Sequence, residues 1–508
     1  MSGPFGSTAW MSNPSTDFYG FPISNSLRFD AGSSNYLERD SYTHNRQIFT
    51  YSFWIKNTNP TVRQFIFGRY VDGNNVSALE YDSGGRLSWY DYQSSGYTFQ
   101  QRTTALFRDV SAWYHVVLRV DTTDGTAGNR ARMYVNGVEL TSFGASTTVS
   151  QNVSFLLGDG GNDFRWGTEG SNNRLHFGGY LADITVIDGT SYAPSAFAET
   201  KNDIWIPKDT AGLTFGNGGY RLQFKQTGTS QNSSGIGADT GGNDEHFSVS
   251  ALAAHDVVPD SPTNNFATLN SLSNDGHTLT EGNLHVSGNV VEGHQGSTFF
   301  VETGKWYFEG NLSTQQNDTA IGLVNSSASV PDNWTGETAN TVGYLSDGRF
   351  FENSSSDSYS SYGTSDIAQF AFDADTGEIW IGKNNTWQNS GDPAAGTGEV
   401  TTVSWADFSP AARTVGSGAM CFNFGQDGSF AGQKTAQGNA DGNGIGDFFY
   451  APPSGFLAIC TSNLPDPVAT IDPNKGGSVQ DYFNTVLYTG NGATTHAISG
   501  VGFQPDWV

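Results

Sequence analysis

Apolar and polar positions alternate with a period of two along much of the chain, the repeat of a strand whose successive side chains leave opposite faces of a sheet. In IFTYSFWIKN, Phe49, Tyr51, Phe53 and Ile55 form one row, and Ile48, Thr50, Ser52 and Trp54 form the other. Both rows are apolar enough to predict a central strand of a sandwich. In AWYHVVLRVD, Tyr114, Val116, Leu118 and Val120 share a face opposite His115 and Arg119, which assigns His115 a structural role. RMYVNGVEL then carries the Asn136-Gly137 pair that favours a type I′ hairpin. The second half repeats the pattern in KWYFEGNL, TAIGLV, TVGYLSDGRFF, DIAQFAFDADTGEIWIGKN and AMCFNFGQ, separated by Ser/Gly/Asn turns. With no helical period of useful length, the expectation is an all-β chain.

Breaks in the pattern divide it. Residues 1–26 interleave Pro4, Pro14 and Pro22 with Phe5, Trp10, Met11, Phe18, Tyr19 and Phe21. Prolines this dense forbid a helix and leave either a disordered start or an extended arm whose aromatics dock on another protein. A first β region covers residues 27–228. Residues 229–262, Gly/Ser/Asn-rich at first and free of Lys and Arg, read as a linker. A second β region spans residues 263–465. Beyond a proline cluster, residues 466–508 hold too few strand signals for a core, so they read as the start of a further β module or as an inter-chain contact segment.

Composition narrows the function. Among 508 residues, 24 Lys and Arg face 50 Asp and Glu, a net charge of -26 that repels phosphate backbones, so no nucleic-acid partner is expected. Charged residues are only 15% of the chain and Gly numbers 63, the balance of a turn-rich exterior protein. Two cysteines, Cys421 and Cys460, permit one bridge at most. No run approaches the ~18 apolar residues of a membrane span, and the first residues lack a secretory signal, so neither membrane insertion nor export is expected. A particle assembled in a host cytoplasm and released by lysis reconciles an exterior composition with that start.

Three stretches in order, LRFDAGSSNYLERD before FTYSFWIKN, WYHVVLRVD before RMYVNGVEL, and FGGYLADITVIDGTSYAPSAF, make the first region resemble a laminin-G-like member of the concanavalin A-like lectin/glucanase superfamily. ETGKWYFEG, GYLSDGRFF, AFDADTGEIWIGKNNTW and RTVGSGAMCFNFGQ make the second similar to a SPRY domain, with Asn384-Asn385 where that family usually has Asn-Gly. The resemblance implies two tandem antiparallel β-sandwich (jelly-roll) domains behind an extended N-terminal arm. The whole arrangement resembles large virion proteins of tailed phages from marine bacteria. It implies a non-enzymatic tail fibre or capsid appendage on the virion surface, docked to other virion proteins by the arm, homotrimeric, and binding a host-surface glycan. A secreted or cell-surface carbohydrate-binding or glycan-cleaving protein, and a decoration protein without ligand, are the alternatives.

The chemistry expected is binding. Glucanases of this superfamily carry E-x-D-x-E or E-x-D-x-x-E on one strand, whereas Glu80-Tyr81-Asp82 is followed by Ser83-Gly84-Gly85, so no catalytic residue is assigned. Scattered histidines give no zinc motif. No cofactor is expected, with calcium as the one candidate ion: Asp72, Asp121, Asp124, Asp159, Asn162 and Asp163 are candidate ligands, against the alternative that each caps its own turn. Sugar recognition sets aromatic faces beside polar side chains. The candidates are Trp89, Tyr90, Tyr92, Asp163, Arg165 and Trp166 in the first module and Trp334, Tyr359, Tyr362, Trp387 and Asp392 in the second. Each has core packing as its alternative.

Overall fold

A computed structural model describes residues 18–161, 163–273, 276–288, 290, 293–328 and 336–466, with scattered positions from 472 onward. Phe5, Trp10, Met11, Asn162 and Trp334 lie outside the described residues, as does most of 466–508.

The fold is all-β. Among the described residues, the first sandwich faces two eight-stranded antiparallel sheets across one core. The inner sheet runs Val138–Glu139, Ala131–Val135, Tyr114–Asp121, Ile48–Asn57, Gly179–Asp188, Ser26–Phe29 and Val257–Val258, with Tyr220–Leu222 also on Gly179–Asp188. The outer sheet runs Phe143–Thr147, Gly96–Thr103, Leu87–Gln93, Asn75–Tyr81, Gln64–Asp72, Phe164–Trp166, Tyr36–Arg39 and Ser248–Ser250. Phe49, Tyr51, Phe53 and Ile55 enter the core beside Tyr114, Val116, Leu118 and Val120. The other row of Ile48–Asn57 is buried too, because residues 189–215 and the domain junction cover the inner sheet's far side. His115 is held there between the Ser52 hydroxyl at 2.8 Å and Trp205 Nε1 at 3.0 Å, and burial pushes its pKa down to about 3. Asn136 and Gly137 take φ of 48° and 79°, the type I′ geometry.

Two expected boundaries move. Phe18 and Tyr19 are buried against Ile204 and Ile206, and Phe21 lies under the Arg221 guanidinium, 5.0 Å from ring centre. These three aromatics are engaged within the chain and do not serve as free docking groups. Residues 229–262 are not a linker. Ser248–Ser250 extends the outer sheet, Val257–Val258 extends the inner one, and Ile236, Phe247 and Leu252 sit in the first core. Widely spaced apolar anchors hold a segment whose overall composition is that of a loop.

The second sandwich pairs a nine-stranded with a six-stranded sheet among the described residues. Lys305–Thr314, Ile367–Asp373 and Ala419–Asn423 lie at the centre of the larger sheet, and Ala320–Val324 and Thr341–Leu345 at that of the smaller. Asn384 and Asn385 have φ of 47° and 64°, so Asn-Asn supplies the left-handed turn that Asn-Gly would. Cys421 and Cys460 are buried free thiols, and burial pushes the Cys460 thiol up to about 12.

The sandwiches meet through buried polar groups. Arg28 Nη1 donates to Asp427 at 2.8 Å, Lys56 Nζ donates to Asn265 Oδ1 at 2.8 Å, and the Tyr180 hydroxyl donates to the Gly282 carbonyl at 2.8 Å, while Asp256 and Asp260 of the first sandwich neutralise Arg28 and Lys56 at 3.4 and 2.9 Å.

Candidate functional site

The aromatic candidates separate by strand alternation. In Leu87–Gln93, Trp89 points into the core against Phe99 and Phe155 and is fully buried, whereas Tyr90 and Tyr92 face outward. Trp166 is likewise core and donates Nε1 to the Tyr220 hydroxyl at 2.9 Å. Tyr362 is core in the second sandwich, donating to the Tyr344 carbonyl at 2.8 Å. Tyr359 packs on Phe350, and Trp387 rests half-buried beside Tyr307. Exposed Asp392 accepts from the Ala395 backbone in its own turn. Trp89, Trp166 and Tyr362 are therefore removed as ligand contacts, because each completes a core.

Tyr90 and Tyr92 belong to an open groove of about 700 Å³ on the solvent face of the outer sheet. Cross-strand register builds its floor in three rows. Phe65, Glu80, Ser88 and Arg102 lie opposite one another on successive strands, then Ala78, Tyr90 and Gln100, then Tyr70, Val76, Tyr92 and Tyr97. Tyr97 is the most exposed of these rings at 47%, and it meets Tyr92 edge-on at 5.0 Å and Tyr90 at 5.9 Å. Asn172, Arg174 and Glu169, from the loop after Phe164–Trp166, wall one side.

Two carboxylates share this groove, both almost wholly buried. Glu80 accepts from Arg63 Nε at 2.9 Å and Nη2 at 2.7 Å. Glu169 accepts from Arg174 Nη2 at 3.0 Å, from Arg174 Nε, and from Asn172 at 2.6 Å. Burial raises the Glu80 carboxyl above its ordinary value, and the Arg63 bond pulls it back. Forked arginine bonds of this kind fix a carboxylate and neutralise it. Glu80 was singled out by its motif; Glu169, Tyr70, Tyr97 and Arg102 were missed, although the outward row of Gly96–Thr103 follows from the same alternation that gives Tyr90 and Tyr92.

The calcium candidates are engaged elsewhere. Asp72 accepts from Asn74 and Asn75, Asp121 from Thr123, and Asp124 from Thr126 and Asn129. Asp159 pairs with Arg69 and accepts from Gly161. Among the described residues, Glu38, Asp40 and Asp163 bring carboxylate oxygens within 4.8 Å of one another. Arg165 already lies among them, at 2.8 Å from Glu38 by Nε and 3.3 Å from Asp163, with its guanidinium 4.3 Å from the Tyr36 ring. Calcium takes six to eight oxygens, so three carboxylates with an arginine in their midst do not fit a resident ion. Asp163 and Arg165 thus form an ion-pair cluster.

Residues 30–195 match a laminin-G-like family model described as the Concanavalin A-like lectin/glucanases superfamily, and the groove lies within that matched stretch. No curated protein matches the chain. Among solved structures, the SPRY domain of human HERC1 is 16% identical, with 27% of this chain and 87% of that one covered and a TM-score of 0.23. A putative carbohydrate binding protein from Bacteroides ovatus is 16% identical, covering 45% of this chain and 58% of that one at a TM-score of 0.32. A pentraxin from Limulus polyphemus is 16% identical, covering 34% and 80% at a TM-score of 0.25.

Proposed function

We propose that the chain is a non-enzymatic glycan-binding protein, with the outer-sheet groove of its first sandwich as the sugar site. The carrying observation is the row of outward tyrosines, Tyr70, Tyr92 and Tyr97, beside hydrogen-bonding Gln100, Asn172 and arginines on a lectin-type domain. Tyrosine faces cover the C–H surfaces of a sugar while amide and guanidinium groups take its hydroxyls. A glycan array with the full chain is expected to give saturable binding that Tyr97→Ala removes. Binding unchanged by Tyr97→Ala overturns the groove as the site.

The setting proposed is the virion surface of a tailed phage, as a tail fibre or capsid appendage, homotrimeric and attached through its N-terminal segment. The acidic, turn-rich composition and the order of modules behind a proline-aromatic start support this reading. Immunogold microscopy of particles, with mass measurement in solution for the trimer, tests it; unlabelled particles or a monomer count against it.

One observation favours a glycan-cleaving reading: Glu80 and Glu169 stand in the same groove, and cleavage uses two carboxylates. Their forked arginine partners favour binding. Release of reducing ends from a bound glycan, lost in Glu80→Gln, decides for cleavage.

A further inference from the structure

The groove holds an uncompensated cation in a strongly acidic protein. Arg63 is bound to Glu80 and Arg174 to Glu169, so those carboxylates present little free negative charge to a ligand. Asp82, at the rim, lies 3.7 Å from Arg86. Arg102 differs from these arginines. It is exposed on the outward row of Gly96–Thr103, and among the described residues its guanidinium has no hydrogen bond or ion pair. Its register neighbours are small, Ser88 on one side and Ala145 on the other. Glu80 is two strands away across Ser88, roughly 10 Å at the ordinary strand spacing.

The molecule-wide charge of -26 does not cancel this local charge. At physiological salt, exposed charges farther than about 8 Å are largely screened, so a bound group feels Arg102 and the neutralised pairs around it. A planar guanidinium with free N–H groups matches a carboxylate or sulfate in two parallel hydrogen bonds. A neutral sugar would leave that fork to water.

We infer that the groove takes an anionic glycan, bearing a uronate carboxylate or a sulfate ester, and that Arg102 receives the anionic group. Tyr92 and Tyr97 hold a sugar ring two rows away, across the Tyr90–Gln100 row, while Arg102 sets the charge preference. This inference rests on the groove being the sugar site.

The test is an array of neutral, uronate-bearing and sulfated glycans probed with the full chain, followed by titration of the best binder in each class. Anionic glycans are expected to bind at least about tenfold more tightly than neutral ones of similar length. Arg102→Ala, at an exposed position, is expected to erase that margin with unchanged thermal melting, and Arg102→Lys to retain part of it. The preferred class distinguishes carboxylate from sulfate. Equal binding of neutral and anionic glycans, lost in Tyr97→Ala but untouched by Arg102→Ala, overturns the inference and leaves the groove reading standing. Absence of any Tyr97-dependent glycan binding overturns both.

Discussion

Lys56 of the first sandwich donates to Asp260 at 2.9 Å with both side chains wholly removed from water. Lys56 also donates to Asn265 Oδ1 at 2.8 Å and to the Phe266 carbonyl at 3.3 Å, while Asp260 accepts from Trp113 and the Phe266 amide. Both members of the pair belong to the first sandwich, and their bonds to Asn265 and Phe266 fasten the start of the second one to it. Removing one member strands a buried charge, at a cost of about 3–5 kcal/mol. Asp260→Ala is expected to lower stability by that order and to split thermal unfolding into two calorimetric transitions. Combining it with Lys56→Met is expected to recover much of the loss. A single unshifted transition for Asp260→Ala would show that the bonds this pair makes to Asn265 and Phe266 do not couple the domains.

The strands at Ser248–Ser250 and Val257–Val258 predict where the first sandwich ends. A chain stopped at residue 228 loses both edge strands and the core side chains of Ile236, Phe247 and Leu252. At about 1.5–3 kcal/mol per buried side chain, that loss rivals the ordinary stability of a domain. Residues 18–228 are expected to aggregate or be digested rapidly by protease, and residues 18–262 to resist both. Equal resistance would return the segment to the status of a linker.

Acidity acts on Glu309. Burial pushes its carboxyl up to about 7 from an ordinary 4.5, although the Tyr450 and Phe449 amides, the Tyr307 hydroxyl and Asn423 all donate to it. The folded chain therefore holds a proton that the unfolded chain releases between about 4.5 and 7. The stability this contributes is complete below the lower value and is lost as pH rises through the upper. Tm is expected to be higher at pH 5 than at pH 8. Glu309→Gln should lower Tm throughout, because its NH₂ confronts other donors, yet narrow the difference between the two pH values. An unchanged difference would remove Glu309 as a contributor; Glu281, raised to about 7 mainly by burial, acts in the same sense.

Gly137 sits where a side chain fits neither the backbone nor the space. Its φ is 79°, and a Cβ would lie 2.7 Å from the Trp205 ring, which itself donates to His115. Gly137→Ala is expected to cost about 1–3 kcal/mol in urea denaturation. Asn136→Gly keeps the turn but removes the Oδ1 that accepts from the His115 amide at 2.8 Å, so a loss of about 1–3 kcal/mol is expected; no loss would show that the turn alone matters there.

Alternation made the sheets legible, and it also separates Trp89 from Tyr90 and Tyr92 once SWYDYQ is read as a strand. The groove was harder to see because register, which brings Arg102 opposite Ser88 and Ser88 opposite Glu80, is not written in any one segment. Glu169 comes from a loop distant in sequence, so no carboxylate spacing could announce it. Residues 229–262 misled for a compositional reason: glycine, serine and asparagine describe what the backbone does there, while a few isolated apolar residues decide where it goes. Trp166 and Tyr362 show the converse, as aromatics beside polar neighbours whose rings the core absorbed.

The return of the chain to its own beginning also sets an order of synthesis. Ser26–Phe29 pairs with Val257–Val258, so the inner sheet waits for more than two hundred residues to be made before its edge can close. Arg28 waits longer still, for Asp427, 399 positions onward. The first domain is therefore made with Arg28 still lacking one of its native partners, and that seam closes only once the second domain has been translated.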